Sequence, residues 1–210
     1  FLKLFSISKD LFIRTMLMVS VQAYVIKKAG LLGVDELATI EILLVIFSLS
    51  SYSLDAFAHS AESSIGVSIG SKNKKNIYKA IRITTELALF LSIIIGIVLY
   101  LSNSYLISIF TNITALRDLT IGLWGLVVIT PFLAMSAFQL DGIFIGATLA
   151  KEMRNCTIFS SLIFFIILEY WFESNLDLKG LYSCFLLFLI SRGVILTIYL
   201  PRVFKLVKID

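Results

Sequence analysis

Long apolar runs, separated by short polar clusters, make up most of this chain. A helix needs about 20 apolar residues to cross the roughly 30 Å hydrocarbon core of a bilayer. Six runs are long enough, and they predict transmembrane helices over residues 11–29, 36–70, 78–101, 116–148, 155–172 and 181–200. Two prolines and eleven glycines leave such helices uninterrupted, which is a poor fit to the short alternating segments of a transmembrane barrel. The pattern therefore predicts an all-α polytopic membrane protein, a six-transmembrane-helix bundle.

Two of these runs exceed a single perpendicular crossing. Residues 36–70 form a run of about 35 residues, which at 1.5 Å each is much longer than the hydrocarbon core. We expect this helix and the one over 116–148 to tilt or to extend into the cytoplasm. Pro131 lies inside the latter, where a missing backbone hydrogen bond is expected to kink the helix near its middle.

Composition supports a membrane protein. Of 210 residues, 59% are apolar and only 15% are charged, and the mean hydropathy is +0.97. A soluble domain carries about a quarter charged residues, so the lipid bilayer is the main solvent of this chain. Cys156 and Cys184 lie in or beside apolar runs, which favours two buried thiols over a disulfide.

The distribution of lysine and arginine predicts the orientation. Thirteen of the 18 bases, Arg14 among them, lie in or next to the N-terminal segment, the connections between the second and third and the fourth and fifth runs, and the C-terminal segment; four lie in or next to the other connections, and Arg192 lies within the sixth run. Basic loops stay on the cytoplasmic side, so both termini are expected there. This bias accounts for the net charge of +4 without a nucleic-acid partner.

Six acids fall within the predicted spans, where an ionisable group usually faces a bundle interior or a wet cavity. They are Glu41, Asp55, Glu62, Glu86, Asp141 and Glu169. In the second span, Asp55, His59 and Glu62 are spaced by three or four residues and therefore share one helical face. Such a stripe could carry protons, or His59 and Glu62 could be solvated at the cytoplasmic rim. One histidine without a second ligand cluster does not predict a metal site.

Asp141 is the most informative acid of the fourth span. It precedes Gly142 and Gly146, small residues that favour close helix packing, and it is flanked by apolar side chains. We expect a functional role for Asp141. Arg192 is the only base near the middle of an apolar run, so it is expected either to pair with one of these acids or to extend toward the membrane surface.

Four stretches together resemble one transporter family. They are LDAFAHSAESSIGVSIGSKNKKN from Leu54, LDGIFIGATLAKEMRN from Leu140, GLYSCFLLFLISRGVIL from Gly180 and KDLFIRT from Lys9. In this order they resemble signatures of the DNA-damage-inducible F branch of the multidrug and toxic compound extrusion (MATE) transporters. Three positions differ from that pattern: Ala56 replaces the usual glycine, Glu41 replaces an uncharged polar residue, and Tyr182 replaces a tryptophan.

The resemblance implies one lobe of a twelve-helix transporter, namely spans seven to twelve, with a missing N-terminal six-span lobe as partner. The chain also begins with Phe1 rather than Met, so we expect a piece of a longer protein. The implied activity is antiport of organic cations or other amphipathic small molecules against protons or sodium, with no cofactor beyond the coupling ion. By motif, Asp141 corresponds to an acid of a cation site and Asp55 to the acid of the first signature.

Two other functions are compatible with parts of the sequence. A lipid-linked precursor flippase of the same superfamily would favour a wet cationic cavity, for which the sequence offers only Arg192. A membrane-embedded enzyme is the alternative from a different class, but no metal cluster, nucleophile elbow or phosphate loop appears in the sequence.

Overall fold

A computed structural model of the chain describes residues 2–172 and 177–207, and within them every regular element is a helix. The all-α prediction is confirmed. The helices are α1 (Leu2–Leu32), α2 (Val34–Gly70), α3 (Lys74–Leu101), α4 (Asn103–Phe110), α5 (Thr114–Gly146), α6 (Ala150–Phe172), α7 (Leu178–Tyr199) and α8 (Pro201–Lys205).

The predicted spans correspond to six of these helices. Their bounds agree to within a few residues for α2, α3, α5, α6 and α7, whereas α1 begins nine residues before the predicted residue 11. Helices α4 and α8 were not predicted, because both are too short to cross a bilayer. Lys208, counted above among the cytoplasmic bases, lies outside the described residues.

Local backbone chemistry explains where the long helices end. After α2, Lys72 adopts a left-handed φ of 53°, and the Asn73 side chain caps α3 by accepting a hydrogen bond from Asn76 N at 3.2 Å. Asp177 caps α7 in the same way, accepting from Gly180 N at 2.7 Å. Such caps satisfy amide groups that the first turn of a helix leaves without a partner. Thr148, with φ of 55°, follows α5.

Helix α5 lies at the centre of the bundle and packs against α2, α3 and α7, while α1 packs mainly against α6 and also touches α2 and α7. Two apolar clusters fill the interior. The larger contains Phe47, Phe164 and Phe185. The smaller cluster, around Ile65 and Phe144, lies near the C-terminal ends of α2 and α5. It therefore fills the interior at the same end of the bundle as Asp141.

Five described helices are long and apolar enough to cross a membrane: α2, α3, α5, α6 and α7 together with α8. Helix α1 does not meet this criterion, so the predicted count of six spans is approximate. The reason is its charge: the stretch without a charged residue between Arg14 and Lys27 is only 12 residues long, about 18 Å of helix. The charged first half of α1 instead contributes to a polar cluster inside the bundle.

The outer surface of the bundle is apolar. On α3, for example, Phe90, Ile97 and Val98 are more than half exposed. Large exposed apolar surfaces of this kind are rare in soluble proteins and are typical of helices that face lipid. Helix α5 continues through Pro131 without being divided there, so the predicted kink does not separate two helices.

Candidate functional site

Three helices meet at the carboxylate of Asp141. This residue lies on α5, about one turn before Gly146, and is only 6% exposed. Its Oδ2 accepts a hydrogen bond from Arg192 Nη2 of α7 at 2.5 Å and another from Arg14 Nη2 of α1. We call Arg14, Asp141 and Arg192 the Asp141 cluster. A single oxygen therefore joins two guanidinium groups that are far apart in the sequence.

Arg192 is fully enclosed, with 1% of its surface exposed. The pairing expected for it is found, with Asp141 as the acid. Its guanidinium carbon also lies 5.7 Å from the centre of the Phe188 ring, a distance at which a cation is attracted to an aromatic face. Extension of this arginine toward the membrane surface is thereby excluded.

An open cavity of about 350 Å³ lies beside the Asp141 cluster. Helix α2 contributes Asp55, Ala58, His59 and Glu62; α5 contributes Phe138, Asp141, Gly142 and Ile145; and α1 contributes Arg14, Thr15, Met18, Val19 and Gln22. We call this space the Asp141 cavity. It brings four predicted site residues from two helices to one surface.

The acidic stripe of α2 becomes more exposed toward its end. Asp55 is half-buried, whereas the His59 side chain is 78% exposed and its Nδ1 lies 3.3 Å from Glu62 Oε2. His59 and Glu62 therefore form an exposed pair at the rim of the cavity. Asp55 lies deeper and is close enough to Arg14, Arg192 and Asp141 to interact with all three electrostatically.

The Asp141 cavity depends on an unusually close crossing of α2 and α5. A Cβ atom added at Gly142 would overlap the backbone carbonyl of Ala58, and one added at Gly146 would overlap the backbone of Glu62. The two glycines thus allow the backbones to touch. This contact places Asp55 and Glu62 on the same cavity wall as Asp141.

Two expectations about individual residues need revision. Glu41 lies on the exposed surface of the first half of α2 and does not line the Asp141 cavity. Arg14 was interpreted as a cytoplasmic loop base, yet it lies within α1 and binds Asp141. The KDLFIRT stretch, which carries part of the family resemblance, was the signal that could have identified it.

Further ion pairs connect the helices at both ends of the bundle. Near the Asp141 cluster, Arg154 Nη1 lies 2.5 Å from Asp10 Oδ1 and Arg202 Nη1 lies 2.8 Å from Glu152 Oε1. At the other end, Lys28 Nζ lies 2.9 Å from Glu169 Oε1. A second cavity of about 660 Å³ also lies at that end. It is larger, but it contains no buried ion pair among the residues that line it.

These features define the class of the protein: a multi-pass helical membrane protein with a buried carboxylate, held by two arginines, beside an open cavity. The family model described as MatE matches residues 11–171, and the chain belongs to this family. The matched region contains every member of the site discussed above except Arg192.

A curated relative agrees with the branch proposed from the signatures. Over 155 residues the chain is 26% identical to the DNA damage-inducible protein F of Escherichia coli (strain K12), and the match covers 74% of this chain and 34% of that protein. The chain thus spans about one third of the length of this relative. The family resemblance drawn from the four stretches is confirmed.

Proposed function

We propose that this chain is the C-terminal lobe of a secondary transporter that exports organic cations or other amphipathic compounds in exchange for protons or sodium. It acts together with an N-terminal six-span lobe, and substrate passes between the two. Membership of the MatE family and the identity to a DNA damage-inducible protein F support this proposal. The proposed location is the bacterial inner membrane, with both termini in the cytoplasm.

The position of Asp141 is the observation on which the proposal rests. A carboxylate at the wall of a cavity can bind a cation, and here two arginines already compete for it. Any coupling ion that binds Asp141 must therefore weaken one of these two ion pairs. The pair with Arg14 joins α5 to α1, and the pair with Arg192 joins α5 to α7. Since ion binding then changes contacts between helices, it can be linked to alternating access.

The ion pairs support the proposed orientation. Arg14, Arg154 and Arg202, all counted among the cytoplasmic bases, lie at the same end of the bundle as Asp141. Lys28, counted on the other side, pairs with Glu169 at the opposite end. The grouping in space thus agrees with the grouping in sequence on which the positive-inside argument depends.

The test is ion-driven efflux of a cationic dye, such as ethidium, by the natively encoded protein in proteoliposomes. Asp141→Asn is expected to abolish efflux driven by an imposed proton or sodium gradient. Glu86→Gln is the matched control, because Glu86 also accepts from an arginine, Arg82, but on the exposed surface of α3. Unchanged efflux in Asp141→Asn, or equal loss in both variants, contradicts the proposal.

Arg14 gives some support to a second candidate, the flipping of a lipid-linked anionic precursor. The sequence offered only Arg192 as a cationic group for such a cavity, whereas the structure adds Arg14 to its lining. Asp55 and Glu62 line the same wall and oppose a strongly anionic headgroup. Translocation of a fluorescent pyrophosphate-linked lipid in the same proteoliposomes, without dye efflux, would favour this candidate.

A further inference from the structure

The Asp141 cluster contains more positive than negative charge. Two guanidinium groups bind one carboxylate oxygen, and both arginines are largely buried, with side-chain exposures of 15% for Arg14 and 1% for Arg192. Buried charges are costly unless they are paired and hydrogen-bonded. Asp55, on the wall of the same cavity, interacts electrostatically with all three members of the cluster.

Several guanidinium donors in the cluster have no acceptor among the described residues. They are Arg14 Nε, Arg192 Nε and Arg192 Nη1, all buried. Native proteins usually satisfy such donors, so these N–H groups can donate to a further anionic partner. Arg192 is enclosed behind Asp141, whereas Arg14 lines the Asp141 cavity. A ligand in the cavity therefore reaches the cluster through Arg14.

The rest of the cavity wall fits an amphipathic ligand. Met18 and Val19 of α1 and Phe138 and Ile145 of α5 supply apolar surface close to the guanidinium group. Guanidinium binds carboxylates and related oxyanions through two parallel hydrogen bonds. Asp55 and Glu62, on the α2 wall, repel a second negative charge on the ligand but attract a positive one. These features select a ligand with one anionic group and an apolar body.

We infer that Arg14 is an anion-binding subsite of the Asp141 cavity, which takes the carboxylate, or a similar single oxyanion, of an amphipathic substrate. The inference rests on the proposed function, because transport is what makes this cavity a passage for ligands. It specifies the group that holds the anionic part of an amphipathic substrate, whether that substrate is an anion or a zwitterion. In the substrate-free protein, Asp141 occupies the guanidinium that the anion takes over.

The experiment compares three probes that share one aromatic body and differ in charge: 1-naphthylacetate, 1-naphthylacetamide and 1-naphthylmethylamine. Their binding to the natively encoded protein in detergent is measured by isothermal titration calorimetry. The anion is expected to bind at least about tenfold more tightly than the neutral amide, as one charge-assisted hydrogen bond provides. Equal affinity of the anion and the amide, or no binding of the anion, overturns the inference.

Variants then assign the preference to Arg14. Arg14→Gln is expected to remove the preference for the anion, whereas Arg82→Gln, which removes a base from the exposed Arg82–Glu86 pair of α3, is expected to keep it. Arg14→Lys retains the charge but not the planar fork, so it is expected to retain only part of the preference. A preference that survives Arg14→Gln, or that disappears equally in Arg82→Gln, contradicts the assignment. Arg14→Gln is expected to fold, since Asp141 keeps its pair with Arg192. Thermal unfolding of the variant verifies this.

Dye efflux by the same preparations separates this inference from the proposed function. Efflux without a preference for the anion refutes the subsite and leaves the transport proposal standing. A preference that depends on Arg14, in a protein that exports no dye, supports the subsite and refutes export of organic cations.

Discussion

Arg192 Nη2 lies 2.5 Å from Asp141 Oδ2, although 51 residues separate the two in the chain. This contact joins the C-terminal halves of α5 and α7 in the interior of the bundle. Either charge alone would be strongly destabilised there, because an isolated ion in a low-dielectric interior is costly. The pair therefore restricts how far α5 and α7 can move apart.

Replacement of Arg192 is expected to cost more stability than replacement of Arg14. Arg192→Gln leaves Asp141 with Arg14, the more exposed of its two partners, and places an amide in a fully enclosed site. Breaking a buried ion pair in this way costs about 3–5 kcal/mol of folding free energy. Arg14→Gln leaves the buried pair intact and should cost clearly less. The measurement is the thermal unfolding midpoint in detergent, with Arg82→Gln as the surface control. If Arg14→Gln lowers the midpoint as much as Arg192→Gln, the pair with Arg192 is not the dominant one.

The contact between α2 and α5 predicts opposite effects for two glycine substitutions on the same helix. Gly142→Ala would force a methyl group into the backbone of Ala58, which cannot rotate away, so we expect a loss of about 1–3 kcal/mol. Gly125→Ala meets no other atom within 4 Å and should be neutral or stabilising by up to about 1 kcal/mol. Both values come from unfolding of the purified variants. A stable Gly142→Ala protein would mean that the two helices do not touch there.

Much of the fold could be predicted because long apolar runs in this chain coincide with helices. The run predicted over 36–70 is α2, and the one over 181–200 is α7, each within about three residues. Helix α4 could not be found by this criterion, since eight residues cannot cross a bilayer. The role of Arg14, inside the first half of α1, was misread for a related reason: charge counting treats every base near the end of a predicted span as a loop residue, and Arg14 is not one.

The sequence predicted individual site residues but not how the helices bring them together. Helical spacing placed Asp55, His59 and Glu62 on one face, and the structure keeps them together. Spacing within one helix does not indicate which other helices pack against that face. The partners of Asp141, Arg14 and Arg192, therefore could not be predicted. Glu41 was included because it is an acid in a span, but its side chain is exposed on the first half of α2, away from the cavity.

The proposed orientation can be tested with single cysteines, because the two native cysteines are buried and should react slowly with polar thiol reagents. Lys75→Cys, in the basic stretch that begins α3, is expected to be protected from a membrane-impermeant maleimide in intact cells and to react after lysis. Asp118→Cys, which lines the larger cavity at the opposite end, is expected to react in intact cells. Because the two positions lie on different sides of the bundle, the reverse labelling pattern would place both termini outside and would move the Asp141 cavity to the outer end. The double alanine variant of Cys156 and Cys184 provides the background.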